Sequence, residues 1–352
     1  METLCRLSYW GQSPASVHKR VGRRKSAQQA AGPPTDKDVP MRWTTADMPT
    51  LTGRHAIVTG ANSGLGLCTA QALSEHGAFV TMAVRDEAKG QAAAATIAGT
   101  GAPGPIEVRR LNLADLASVR EFAAGWSADH PEGLDLLINN AGIMAIPRRT
   151  TADGFEMQLG TNHLGHFALT GLLWPALVAQ PHSRVVNVAS QAHRMGRMRF
   201  DDLMGERKYS AWGAYGQSKL ANLLFTKELA RRIAEDDLDI LALAAHPGYA
   251  STNLQHAGPE MRGRSLESRV IGFGNKVLAQ SAEMGALPTL FAATVPGLQG
   301  GDYIGPDGFM EQRGYPKVVG RSDAAKDEAA AQRLWQLSED LTGVRYPFDN
   351  RA

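Results

Sequence analysis

The chain has 352 residues, enough for one large domain or two small ones, and its 43% hydrophobic and 20% charged residues suit an ordinary globular protein. The net charge of +2 is unevenly placed: residues 1–42 hold eight Lys or Arg against three acids, a local +5, so the rest carries −3 and offers no basic nucleic-acid face. Two cysteines, Cys5 and Cys68, exclude a disulfide framework, and no apolar run approaches the roughly 18–20 residues of a bilayer span. A reducing, cytoplasmic setting is the expectation.

Residues 1–42 are basic and rich in Gln, Ala, Gly and Pro, without an apolar period, which predicts a disordered extension. From Trp43 to the end, strands and helices alternate. The strands are predicted at Ala56–Thr59, Phe79–Val84, Ile106–Arg110, Leu134–Asn139, Arg184–Ala189 and Asp239–Ala245, with a short last one at Asp302–Gly305. Helical spacing predicts Gly64–His76, Asp86–Ile97, Asp115–Asp129, Asp153–Val178, Ala211–Ile233 and a terminal Ala324–Leu341. Strand, helix, strand in repetition demands crossover connections. The expected fold is therefore α/β: a single-domain, doubly wound parallel sheet with helices on both faces, covering 43–352. Residues 254–280, glycine-studded and poorly periodic, are expected to form a lid.

The stretch Thr59-Gly60-Ala61-Asn62-Ser63-Gly64-Leu65-Gly66 joins the first strand to the first helix. Glycines there let a backbone approach a phosphate closely, and the helix N-terminus offers unpaired N–H groups. The spacing differs from the G-x-G-x-x-G fingerprint. In Tyr215-Gly216-Gln217-Ser218-Lys219 the phenol and the ammonium are four residues apart, on one helix face. A neighbouring cation favours phenolate, so Lys219 is expected to lower the Tyr215 pKa and make it a proton acceptor for an alcohol. No set of His, Asp and Glu has the spacing of metal ligands. Met144, Ile146, the 254–280 segment and the stretch between Ser190 and Tyr215, with His193, Met195, Met198, Phe200, Leu203, Tyr209 and Trp212, suggest an apolar pocket; loop anchoring is the plainer reading of several of them.

Thr59–Gly66, Asn139-Asn140-Ala141-Gly142, Asn162, Ser190 and the Tyr215/Lys219 pair, in this order, resemble the short-chain dehydrogenase/reductase family over roughly 51–306. Val84-Arg85-Asp86, Thr161–Phe167 and His246-Pro247-Gly248 are similar to its retinol-dehydrogenase-like branch, which includes enzymes like protochlorophyllide reductase. The resemblance implies Tyr215 as general acid/base, Lys219 tuning it and holding the nicotinamide ribose, Ser190 bonding the substrate oxygen and Asn162 holding a relay water. For the cofactor it implies contacts from Gly60, Asn62, Ser63, Gly64, Leu65, Gly66, Asn140, Ala141, Gly142, Pro247, Gly248 and Thr252. Asn112, where the family commonly has Asp, and Leu113 are expected beside the adenine.

Arg85 directly follows the second strand, and Asp86 is read as the N-cap of the next helix. A guanidinium at that place attracts a 2′-phosphate, so NADP is expected over NAD. The expected function is oxidation and reduction between a lipophilic alcohol and its aldehyde or ketone. The alternative is a non-catalytic dinucleotide-binding sensor or scaffold. The expected partners are a small-molecule substrate and, through the two long helices, a second copy in a homodimer or homotetramer.

Overall fold

The computed structural model describes residues 42–249 and 280–348. The expected extension 1–42, apart from Arg42, lies outside the described residues, as do Thr252 and the expected lid apart from Gln280. One eight-stranded sheet runs in the order β3-β2-β1-β4-β5-β6-β7-β8. Its strands are β1 His55–Thr59, β2 Phe79–Val84, β3 Ile106–Arg110, β4 Leu136–Asn139, β5 Ser183–Val188, β6 Ile240–Ala245, β7 Tyr303–Pro306 and β8 Pro316–Val318. All pairings are parallel except β7 with β8.

Side-chain alternation builds the core on both faces. Ile57, Leu137 and Val185 belong to one buried cluster, while their chain neighbours Ala56, Val58, Leu136, Ile138 and Val186 belong to the other. The first face is covered by α3 (Leu116–Asp129), α5 (Gly165–Leu172) and α7 (Ala211–Glu235). The second is covered by α1 (Gly64–Glu75), α2 (Glu87–Ala98) and α8 (Ala282–Thr294). The amphipathic α9 (Glu328–Thr342) closes the chain, its Trp335 set among Phe167, Phe225 and Tyr346.

The helix expected over Asp153–Val178 is broken. It consists of α4 (Met157–Leu159), a π-helical turn at Gly160–Leu164, α5, and α6 (Trp174–Val178) after Leu173. Pro175, without an N–H, forces the last restart. The terminal helix begins later than expected, because the Asp327 carboxylate caps Ala330 N–H at 2.9 Å. The sequence pattern missed α8: its residues from Gly285 to Thr294 are all buried, so it shows no polar face. Strand order reverses between β1 and β4, both leaving the sheet at their carboxyl ends beside one another. A crevice outside such a reversal is where doubly wound sheets bind ligands.

Candidate active site

The glycine-rich turn leaves β1 with Gly60 at φ +67° and Gly64 at φ +55°, the left-handed region that glycine tolerates. A Cβ on Gly66 would lie 2.6 Å from Asn140 Nδ2 and closer still to the Gly60 carbonyl. Ser63 is the N-cap of α1 but makes no side-chain cap bond. Asn62, Ser63, Gly64 and Leu65 are half-buried around this helix start. The cradle suits a pyrophosphate, because a helix N-terminus offers backbone N–H donors there and its glycines carry no Cβ to hold a phosphate off.

From the β4 side, Asn139 Nδ2 donates to Asn187 Oδ1 at 2.9 Å and so ties β4 to β5. Asn140 Nδ2 donates to the Thr59 carbonyl at 2.7 Å, tying β4 to β1. Asn140 and Ala141 N–H groups both donate to Thr59 Oγ1 at 2.9 Å. A Cβ on Gly142 would sit 3.2 Å from Asn162 Oδ1 and 3.5 Å from Lys219 Nζ, so this glycine keeps open the space between them.

Asn162 lies in the π-helical turn, a distortion frequent at functional sites. Its side chain accepts Ile143 N–H at 2.8 Å and donates to the Ile143 carbonyl and to Ser218 Oγ, both at 2.9 Å. His166, one turn on, has Nδ1 3.1 Å from the Asn162 carbonyl and Nε2 2.9 Å from Thr59 Oγ1. Thr59 Oγ1 already accepts two N–H groups, so its single proton points to His166 Nε2, nearer than the Ile138 carbonyl at 3.3 Å. His166 Nδ1–H therefore donates to Asn162. Burial pushes His166 down to about 4, which keeps it neutral for this double role. Spacing along the chain does not reveal that His166 joins the glycine turn to the Asn162 turn.

Ser190 follows β5 and caps a 3-10 turn, accepting Ala192 N–H at 3.2 Å. Buried His193 holds the same residue from behind, its Nδ1 2.7 Å from the Ser190 carbonyl, while Nε2 accepts Ser322 N–H at 3.2 Å. Tyr215 and Lys219 sit on α7, both buried. The expected sign for Tyr215 is reversed. Burial raises the phenol above its ordinary value, and a hydrogen bond with Ser190 pulls it partly back. Lys219 Nζ donates to the Val188 carbonyl at 2.8 Å and lies 5.9 Å from the Tyr215 ring centre. Burial lowers Lys219 from 10.5 to about 8.

A charged Lys219 therefore costs the fold roughly 3 kcal/mol below pH 8, at about 1.36 kcal/mol per pKa unit. Lys219→Met is expected to raise the urea midpoint at pH 7, since Val188 O keeps its bond from Asn222 Nδ2 at 3.1 Å. The gain shrinks as pH rises from about 8 towards 10.5, where the unfolded lysine also loses its proton. Urea titrations of both proteins at pH 7 and pH 10 check this; a gain independent of pH contradicts it.

The other expected cofactor residues are spread along the same sheet edge. Arg85 is exposed at the end of β2, and among the described residues it has no ion pair or hydrogen bond. Asp86 does cap α2, accepting Lys89 N–H at 3.1 Å. Asn112 Oδ1 accepts Ala114 N–H at 3.2 Å, so one of its lone pairs serves the local turn. Leu113 is buried, its carbonyl against Gly165. Pro247 O accepts from Gln280 Nε2 at 2.6 Å, and Gly248 has φ +65°. His246 is fully buried, 3.1 Å from Glu311 Oε2.

Residues 54–263 match the sequence profile of the short chain dehydrogenase family. The chain belongs to this family. Human retinol dehydrogenase 13 is 43% identical over 302 residues, covering 85% of this chain and 87% of that protein. Human retinol dehydrogenase 11 is 40% identical, with 85% and 88% covered. Among solved structures, an uncharacterised protein of Mycobacterium paratuberculosis is 48% identical with a TM-score of 0.72, covering 87% of this chain and all of that one. A Beutenbergia cavernae chain described as an NAD(P)-dependent gluconate 5-dehydrogenase, with NADP bound at low occupancy, is 27% identical, TM-score 0.53, with 70% and 91% covered. The present short-chain dehydrogenase is thus an NAD(P)-dependent oxidoreductase acting on CH–OH groups of small molecules. Among its described residues no helix is long and apolar enough to cross a membrane.

Proposed function

We propose that this dehydrogenase works with NADP(H) on a bulky lipophilic alcohol or carbonyl compound, with Tyr215 as the proton-transferring group. The observation that carries the reading is convergence: the Ser190 side chain is near enough to the Tyr215 phenol to lower its pKa, while Asn162 and Lys219 flank the space kept open by Gly142. The turn at Gly60, Asn62, Ser63, Gly64, Leu65 and Gly66 holds the pyrophosphate. Arg85 takes the 2′-phosphate, Asn112 and Leu113 border the adenine, and Asn140, Ala141, Gly142, Pro247 and Gly248 line the nicotinamide side. When bound, the nicotinamide supplies or accepts the hydride.

Tyr215 gives its phenolic proton to the carbonyl oxygen in reduction and takes it back in oxidation. Ser190 donates a hydrogen bond to that oxygen, and Lys219 binds ribose hydroxyls. A water on Asn162 reloads the phenol. The raised Tyr215 pKa leaves a proton on the phenol at neutral pH, which suits the reducing direction.

Lipophilic preference rests on the rim. Met195 and Trp212, five residues after Ser190 and three before Tyr215, are exposed. Phe309 and Met310 are also exposed, on a turn joined to the Ser190 side through the Arg194–Glu311 pair. The other side chains of that stretch serve the loop instead: Met198, Phe200 and Leu203 pack on the core, and the Tyr209 hydroxyl donates to the Ile146 carbonyl at 2.9 Å.

A panel of lipophilic and polar carbonyl compounds, followed by absorbance of the reduced nicotinamide, tests the reading. Turnover is expected for the lipophilic members, with NADPH preferred over NADH. Arg85→Ala is expected to lower kcat/KM for NADPH about 10–100-fold, as loss of a ~1.5–3 kcal/mol charged hydrogen bond implies, and to spare NADH. Equal use of both cofactors by the unmodified protein overturns the NADP assignment.

A further inference from the structure

We propose a metal site at the amino end of the sheet, away from Tyr215, formed by His55 Nε2, His130 Nδ1 and Glu132 Oε1. One potential ligand atom from each of the three residues lies within 4.8 Å of the other two. His55 Nε2 is 3.3 Å and His130 Nδ1 3.2 Å from the same Glu132 oxygen. Metal–ligand bonds of about 2.0–2.1 Å at tetrahedral angles place neighbouring ligand atoms about 3.3 Å apart. The two short edges have that length.

His130 stands between two carboxylates: its Nε2 faces Glu107 Oε1 at 3.1 Å while its Nδ1 faces Glu132. An imidazolium would donate to both. A cation between Nδ1 and Glu132 takes the place of the second proton and leaves Nε2–H to donate to Glu107, the carboxylate–histidine–metal arrangement that orients imidazole ligands. Glu107 is itself fixed, accepting from Thr81 Oγ1 at 2.6 Å and pairing with Arg109 Nε at 2.9 Å.

The ligands are also held in place. His130 stacks on Trp126 with ring centres 4.7 Å apart, and His55 on Phe79 at 5.1 Å. The Glu132 side chain is 43% exposed, which gives the ion a path from solvent and a place for a water ligand. Glu107, Glu132 and Asp129 outnumber Arg109, so a dication meets excess negative charge. Two imidazoles and a carboxylate select a Zn²⁺-like ion over Mg²⁺ or Ca²⁺. His55 Nδ1 is buried without a partner, so its ring is the weaker ligand of the two. The ion would fasten the turn after α3 to the start of β1.

The test is titration of the untagged, chelator-stripped full-length protein with Co²⁺ alone, read by visible absorption. The expected result is one ion per chain with the strong bands of a four-coordinate site, displaced by Zn²⁺. His130→Asn and Glu132→Gln are each expected to weaken Co²⁺ binding at least ~10-fold, and Glu107→Gln ~10–100-fold. His182→Asn, at an exposed histidine elsewhere, is the unaffected control. Because Glu132 is exposed, Glu132→Gln should keep the fold, which its thermal midpoint without metal reports. Absence of Co²⁺ bands in the folded protein, or unchanged affinity in His130→Asn and Glu132→Gln, overturns the proposal.

Discussion

Tyr215→Phe lowers turnover by ~10²–10⁴-fold while leaving NADP(H) affinity nearly intact, the range expected when one positioned proton donor is lost. The substitution removes a single hydroxyl from a buried ring, so the packing of α7 against the sheet is retained. What disappears is the hydroxyl beside Ser190, the group proposed to exchange a proton with the substrate oxygen. Steady-state kinetics with a substrate found in the carbonyl panel, together with cofactor titration, separate the two effects. Turnover equal to that of the unmodified enzyme would remove Tyr215 from the mechanism. Loss of cofactor binding as large as the loss of turnover would make it a binding residue instead.

Gly66→Ala is the other change with a large expected effect, and its cause is steric. A methyl group there meets the Gly60 carbonyl and Asn140 Nδ2, both of them backbone or tied to backbone. The turn can accept it only by moving α1 away from β1, at about 1–3 kcal/mol of stability, the usual cost of overpacking. The same movement misplaces the helix N-terminus, so dinucleotide binding is expected to fall beyond detection in a fluorescence titration. Gly125→Ala is the matched control. It lies within α3, where a new Cβ has only Arg109 Nη1 nearby, at 4.0 Å, and helix propensity predicts a gain of about 0.5–1 kcal/mol. Tight NADP(H) binding by Gly66→Ala would show that the turn does not hold the cofactor.

Most of the fold was legible because its central strands and flanking helices obey simple periods. β1 to β6 fall within two residues of their expected ends, since Val, Ile, Leu and Ala crowd most of them between turn residues and in β3 Ile106 and Val108 alternate with charged residues. The elements that were missed obey no local rule. α8 is apolar on every side and contains Pro288, and β8 is a three-residue antiparallel edge with two exposed side chains. The break in the Asp153–Val178 helix was likewise hidden, because a π-helical turn leaves no mark on apolar spacing.

The candidate site divides in the same way. Sequence by itself determined which groups are present and on which element: glycines at the exit of β1, a tyrosine and a lysine one helical turn apart, a serine beyond β5. Spacing along one element is a local property, and local geometry repeats. Only the tertiary structure decided how deeply each group is buried and what it touches. It reversed the expected shift of Tyr215, moved most of the apolar loop side chains into anchoring, made His166 a link between two turns, and drew His55 together with His130 and Glu132. Desolvation and contact between distant segments depend on how the whole chain packs, and no stretch of residues carries that information alone.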